Sequence, residues 1–556
     1  MSFRDILWNY PDILAKVTRG LAPISYILIT LGILLFVGNQ YFPSLDFSKV
    51  VGKGEVGVVN EGTVGFVSNL NPLYIPQSQV DRDIQALVFR KLVRIQSDGR
   101  PVGDLVKSWS VSSDLLTYEF TMVSDAKWHD GEAVTADDVV FTINTARELS
   151  QKLSQETVGQ GFEGLRVEKI DRYKFKVVLD QYSSTFWETI SLYIVPDHVF
   201  EGRSISQISE STFSKKPIGN GYYEIESSSD MLITLVQSSV YERNLSVRKI
   251  NYHMYASAQE LEVAFRNRKL DMVSGVPLRD LSYMSEYSKQ FDILQTVIGT
   301  RKKVLFLNNR VSAFGTASVR RGLSYLIDRD RLIEMASVDG RPAFSSYSAK
   351  SWVYDSTIGY YKFDPKKAEA ELSGAGYKKD KASGYYQSSD GKVLTVTITY
   401  LDNDANSAIV SSLKDLLKEQ GVIVELDGQS FERLTRETLA TRDYGILLYE
   451  VETSIDPDQY DLWHSLRKDY PYLNLSGYTY DRVDIFLERG RTQTKKADRQ
   501  QSYSIVQRLI NEDAPAIFLY EPEFNVVVSN RIENVEVDSI NYPEERYNYI
   551  QNWEFK

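Results

Sequence analysis

The chain has 556 residues, with 64 basic against 75 acidic side chains, a net charge of −11 and no cysteine. Without thiols it carries no disulfide, iron–sulfur cluster, thiolate metal site or lipid on an N-terminal cysteine. The acidic balance argues against sequence-independent binding of nucleic acid. A chain of this length exceeds what one core normally serves, so two or three lobes are expected.

Residues 20–45 hold no charged side chain, and the apolar run 21–37 lies at their centre. A spanning helix needs about 17 to 25 apolar residues, which 21–42 supplies. Arg4, Lys16 and Arg19 precede the run, and the next basic residue is Lys49. The positive-inside rule then puts residues 1–20 in the cytoplasm and the body outside it. A cleaved signal peptide is the competing reading, but no Ala-x-Ala-like site follows the apolar core, so an uncleaved anchor at 21–42 is expected. Residues 43–57 are turn-rich and read as a linker.

Short strands and amphipathic helices follow. Thr135-Ala136-Asp137-Asp138 resembles a capping box with Asp where Glu is usual, and Val139, Val140, Ile143 and Ala146 mark the apolar face of the helix it starts. Val319, Leu323, Leu326 and Ile327 make a second helical face. Asp364-Pro365 supplies an N-cap and an N1 proline, with Gly374 and Gly376 closing that helix. Leu394, Val396, Ile398 and Tyr400 alternate with threonines, which predicts a strand with one buried face. Ile409, Leu413, Leu416 and Leu417 have helical spacing, Gly421 stops the helix, and residues 422–426 resume as a strand. This β-α-β unit predicts parallel strands joined by a right-handed crossover. The class is mixed α/β, without internal repeats or low-complexity tracts.

The four histidines, His129, His198, His253 and His464, form no pair with metal-ligand spacing, so no metal site is expected. There is no Gly-x-Ser-x-Gly elbow, phosphate loop or Gly-x-Gly-x-x-Gly fingerprint, which argues against the commonest hydrolases, NTPases and dehydrogenases and leaves no resident cofactor to expect. Seventy-five carboxylates guarantee chance neighbours, and caps and solvated surface explain most of them.

Residues 128–141, WHDGEAVTADDVVF, match the pattern W/F-H-D-G-x-x-V-T-A-x-D-V-x-F at every fixed position. Residues 101–109 resemble the "x-P-x-L-A-x-S-W" stretch that precedes this pattern, and 117–120 its "T-Y-x-F" strand. Residues 217–223 look like a "P-V-G-T-G-P-Y" turn, 319–329 like "V-R-x-A-L-x-Y-A-I-D-R", and 364–377 like "D-P-x-K-A-x-x-L-L-x-x-A-G-Y". In this order the blocks, with two more at 474–478 and 514–520, resemble the family 5 solute-binding proteins of ABC importers, which include dipeptide- and oligopeptide-binding proteins. The residues of the 128–141 block read physically as structure: Asp130-Gly131 makes a turn, Thr135 caps a helix, and Trp128 and Phe141 supply core area.

The resemblance implies a two-lobed, class II periplasmic-binding-protein fold of α/β lobes, with an extra subdomain in lobe I, here behind one N-terminal transmembrane helix. Lobe I would take 58–80, 181–302 and 523–556, the inserted subdomain 81–180, and lobe II 303–522. The chain would cross between lobes near 303–307 and 518–524, forming a hinge. The implied function is capture of peptides outside the cell and delivery to an ABC permease, by a monomer that is not an enzyme. Peptide-binding members hold the ligand's α-ammonium with a carboxylate just ahead of a "D-P-D-N-F"-like segment. That acid falls on Thr453 without a gap and on Glu452 if the loop is one residue longer, so Glu452 is the candidate, with Asp456 in reserve. Tyr449, Tyr460 and Trp463 flank this position and are candidates to line the cleft, although aromatics serve cores equally well. The same fold binding an oligosaccharide, nickel chelate or haem is the alternative, followed by a surface hydrolase or chaperone-like protein.

Overall fold

The computed structural model describes residues 57–556, apart from 154–156, 243, 278–288 and 539. The anchor expected at 21–42, with its flanks, lies outside the described residues. Among those described, no helix is long and apolar enough to cross a membrane.

The elements that position the site run in chain order. The first set is β1 (Val58–Val64), α1 (Gln79–Val88), β2 (Val106–Val111), β3 (Thr117–Met122), α2 (Ala136–Leu153), β4 (Leu165–Asp171), β5 (Lys174–Leu179) and α3 (Phe186–Ile190). Next come β6 (Tyr223–Ser228), β7 (Leu232–Gln237), β8 (Lys249–Tyr255), β9 (Met272–Ser274), β10 (Phe291–Val297) and β11 (Arg301–Leu307). The last are β12 (Gly340–Pro342), β13 (Thr395–Leu401), α4 (Asp404–Gln420), β14 (Ile423–Gln429), β15 (Ile446–Glu452) and β16 (Ala516–Ser529).

Among the described residues one sheet of 12 strands runs β14-β13-β15-β11-β16-β9-β1-β8-β7-β6, with β10 and β12 also paired to β16. A separate four-stranded sheet runs β2-β3-β5-β4. Strand β16 joins the halves of the large sheet. Its first part pairs with β11 and β12, and its second part, from Glu523, pairs with β10 and β9. Pro522 stands at the change of partner, where it has no N–H to donate and accepts the Ile298 N–H at 3.1 Å. The other crossing is the short step from β10 to β11. Two neighbouring connections thus carry the chain between the halves.

Alternation along β11 and β16 separates two cores in the second half. Leu305, Leu307, Ile517 and Leu519 enter one, while Val304, Phe306, Ala516 and Phe518 enter the other. The predicted β-α-β unit is β13, α4 and β14: β13 and β14 pair in parallel, and Gly421 at φ +92° ends the helix in the left-handed region that favours glycine. Asp364 caps its helix by accepting the N–H groups of Lys366 and Lys367. At the start of α2, Asp138 Oδ2 accepts the Thr135 N–H, one half of the expected box, while Thr135 Oγ1 caps the Asp137 N–H in place of that of Asp138.

The 128–141 block is structural. Trp128 is fully buried. His129 Nε2 meets the Gly221 carbonyl at 3.0 Å and Nδ1 accepts the Gly219 N–H at 3.3 Å, tying this block to the turn at 217–223. Burial lowers the His129 pKa to about 4, so the ring is neutral. A Cβ at Gly219 would come within 2.0 Å of the Val88 carbonyl oxygen, which explains the glycine in that turn.

The C-terminal segment is pinned into the first half by a buried ion cluster. Arg546 donates to Glu61 of β1 at 2.9 Å and to Asp83 of α1 at 2.5 Å. Tyr547 and Tyr252 hydroxyls donate to the same two carboxylates at 2.6 and 2.5 Å. All three ionised side chains are at most 1% exposed. Removing one partner of a buried pair leaves uncompensated charge and costs about 3–5 kcal/mol. Arg546→Met should therefore lower the unfolding free energy by about that amount in urea titration; a loss under about 1 kcal/mol contradicts the cluster's role.

Candidate functional site

A cavity of about 430 Å³ opens between the halves of the sheet. Its walls come from residues 97–98, from the crossing at 299–302, from 346–352 and 453–459 of the second half, and from Asp538, Ile540 and Asn541 of the C-terminal segment. Two smaller cavities, of about 200 and 250 Å³, share lining residues with it, and Glu188 of α3 borders both of these and a third cavity of about 310 Å³.

The loop after β15 crosses this space under two restraints. At its start, the Thr453 N–H and hydroxyl both donate to the Thr300 carbonyl, at 2.7 and 3.2 Å. Further on, the Asp456 N–H donates to Glu188 Oε1 at 2.6 Å. Ser454 and the Ile455 N–H also bond to this carboxyl. Desolvation beneath the loop outweighs those donors and pushes the Glu188 carboxyl up to about 7.

Glu452, the candidate for an ammonium, is engaged by arginines instead. Arg82 Nη1 of α1 lies 2.8 Å from one oxygen and Arg301 Nε 2.7 Å from the other. Burial acts to raise its carboxyl, but the two guanidiniums prevail and hold it below the usual range. A ligand cation arriving there would meet two positive charges. Asp456 does line the main chamber, but Arg499 Nη2 bonds both of its oxygens, at 2.7 and 2.9 Å.

The three aromatics border none of the four cavities. Trp463 is 1% exposed in the second-half core and donates its indole N–H to Gln459 at 3.0 Å, so it is a packing residue. Tyr449 packs, half-buried, against the same core. Tyr460 stacks on His464 at 4.0 Å between centroids and lies under Arg491 at 4.3 Å. Residues that the sequence reading missed, among them Glu188, Arg82, Lys302, Lys350 and Asp538, carry no local pattern; only the fold brings them to the cleft.

Among the described residues, the ligand atoms of Asp138, Asp197 and His198 lie within 4.8 Å of one another. Asp138 is engaged by the N–H groups of Thr135 and Asp197, and His198 by Asp130, so the group reads as a cap.

The model of the family described as bacterial extracellular solute-binding proteins, family 5 middle, matches residues 100–471. The chain belongs to this family. This family 5 protein is 25% identical over 487 residues to the oligopeptide-binding protein AppA of Bacillus subtilis (strain 168), covering 85% of this chain and 87% of AppA. The structure of that AppA with a nonapeptide superposes with a TM-score of 0.72 at 23% identity, covering 90% of this chain and 99% of the other. NikZ from Campylobacter jejuni with Ni(L-His) gives 0.73 at 21% identity, covering 90% and 100%. The fold is therefore that of the periplasmic binding proteins.

Glu188 has a pH signature. Its pKa rises from 4.5 to about 7 on folding, so its contribution to stability is full below 4.5 and is lost as pH rises through about 7. The thermal midpoint of the wild type relative to Glu188→Gln should fall as pH is raised across that window. Parallel curves for the two proteins contradict the assignment.

Proposed function

We propose that this protein is the membrane-anchored, extracytoplasmic binding protein of an ABC importer, capturing peptides in the cleft between its halves and passing them to a permease. The observation that carries the reading is the chamber of about 430 Å³ between two halves joined by neighbouring strand crossings. Its volume falls within the roughly 300–1,000 Å³ of small-ligand sites. In this reading the lobes are 58–80 with 181–302 and 523–556, carrying the insert 81–180, against 303–522. Ligand held between them favours the closed state because only that state offers both walls. The uncharged stretch 20–45 supports a tether, and the absence of cysteine leaves no thiol for a lipid. The protein acts as a monomer, without catalysis.

Peptide is favoured over a nickel chelate because no histidine borders the four cavities among the described residues. AppA of Bacillus subtilis, which covers 85% of this chain, is named for oligopeptide binding. Glu452 serves here as a clamp: Arg82 reaches it from α1, which packs in the first core, while β15 belongs to the second half. Such a partly exposed pair contributes about 0.2–1 kcal/mol.

Calorimetry of the full-length protein with mixed tri- to pentapeptides should show saturable binding; no heat and no thermal shift would sink the reading. Glu452→Gln should weaken binding by up to about fivefold, equally for free and N-acetylated peptides, because it loosens closure. Selective loss for free N-termini would restore Glu452 as the ammonium acceptor.

A further inference from the structure

Five charged side chains line the main chamber: Asp98, Lys302, Lys350, Asp456 and Asp538. Three have ionic partners within the protein. Asp98 pairs with Arg100 at 2.6 Å, Lys302 with Glu521 at 3.2 Å, and Asp456 with Arg499 at 2.7 Å. The other two do not. Lys350 Nζ donates to Thr296 Oγ1 at 3.1 Å and to the Val297 carbonyl at 2.9 Å, both neutral acceptors. An ammonium has three donors, so one remains for a ligand. Asp538 has no basic partner within salt-bridge distance among the described residues.

The two segments come from different halves, but the Lys350 ammonium itself rests on Thr296 and Val297 of β10, on the same side as Asp538. Lys350 follows Ala343 and Tyr347, which are buried in the second half, while Val537 and Ile540 anchor Asp538's segment in the first core. The chamber therefore holds one cation and one anion without a direct ionic partner, close enough for the Asp538 charge to act on Lys350. A charged ligand end removed from water needs an opposite charge with hydrogen bonds, and these are the chamber's two unpaired groups. Ser346 Oγ and Tyr347 Oη are also buried beside the chamber without a hydrogen-bond partner among the described residues, a deficit that a polar occupant would relieve.

Resting on the peptide reading above, we propose that the chamber takes short zwitterionic peptides, with the α-carboxylate on Lys350 and the α-ammonium on Asp538. The loop at 452–456 then contributes shape and backbone but no ammonium acceptor. Its Glu452 and Asp456 are held by arginines, and Thr453, at the ungapped position of the family's acid, is bonded to Thr300. The hold of Glu188, which borders the 310 Å³ cavity, on residues 454–456 of the chamber wall stands between these two spaces.

The test uses the full-length protein in detergent and a mixed-sequence tripeptide library in three forms: free, N-acetylated and C-amidated. Binding is read by native mass spectrometry and calorimetry. For the wild type, each blocking group should weaken binding by about tenfold or more. Asp538→Asn should bind free and acetylated peptides alike while keeping the amidation penalty, and Lys350→Gln should do the reverse. Both side chains are exposed, so unaltered melting curves are expected to accompany these changes. Free peptides that bind without either penalty overturn the zwitterion assignment and leave the peptide reading standing. Penalties that persist unchanged in both variants overturn the roles of these two residues. No binding by any form overturns the peptide reading and this proposal with it.

Discussion

Strand β16 belongs to both halves of the molecule, and this constrains everything built around the cleft. A strand paired on either side of Pro522 holds two half-sheets in register at one point while leaving the junction short of a ladder bond. The β10 to β11 step runs beside it, so the two connections sit side by side and not at opposite ends of the cleft. A joint of this kind resists sliding and permits bending. The cavity walls follow from it. Residues 299–302 are the second crossing itself, and the loop at 453–459 leaves β15, the strand paired with β11.

Electrostatics at the cleft sort into charges that serve the protein and charges left over. Glu452, Asp456 and Lys302 hold elements together, and in each the partner is an ion of opposite sign at 2.7 to 3.2 Å. Glu188 differs: its partners are backbone donors and a serine, and desolvation shifts its titration toward neutrality. Lys350 and Asp538 remain as the main chamber's two charges without a direct ionic partner among the described residues.

Much of the fold was legible in the chain because its signals are local. The alternation of residues 394–400, the stop at Gly421 and the cap at Asp364 each report a conformation fixed within a few residues. The residues at 128–141 were legible as a turn, a cap and core contributors for the same reason. The cleft was not, because its chemistry is assembled from distant segments: Arg82 and Glu452 lie 370 positions apart, and Glu188 and Asp456 lie 268 apart. Trp463 illustrates the converse. An aromatic beside a candidate site looks the same in sequence whether it lines a groove or, as here, fills a core.

The proposed role of the cleft as a peptide receptor carries everything said of its charges. Native mass spectrometry of the full-length protein, isolated from its own host without added ligand, addresses this directly. The account predicts short peptides, released when the protein is denatured, whose masses are explained by free termini. A metal chelate, an oligosaccharide or haem released in their place would contradict it.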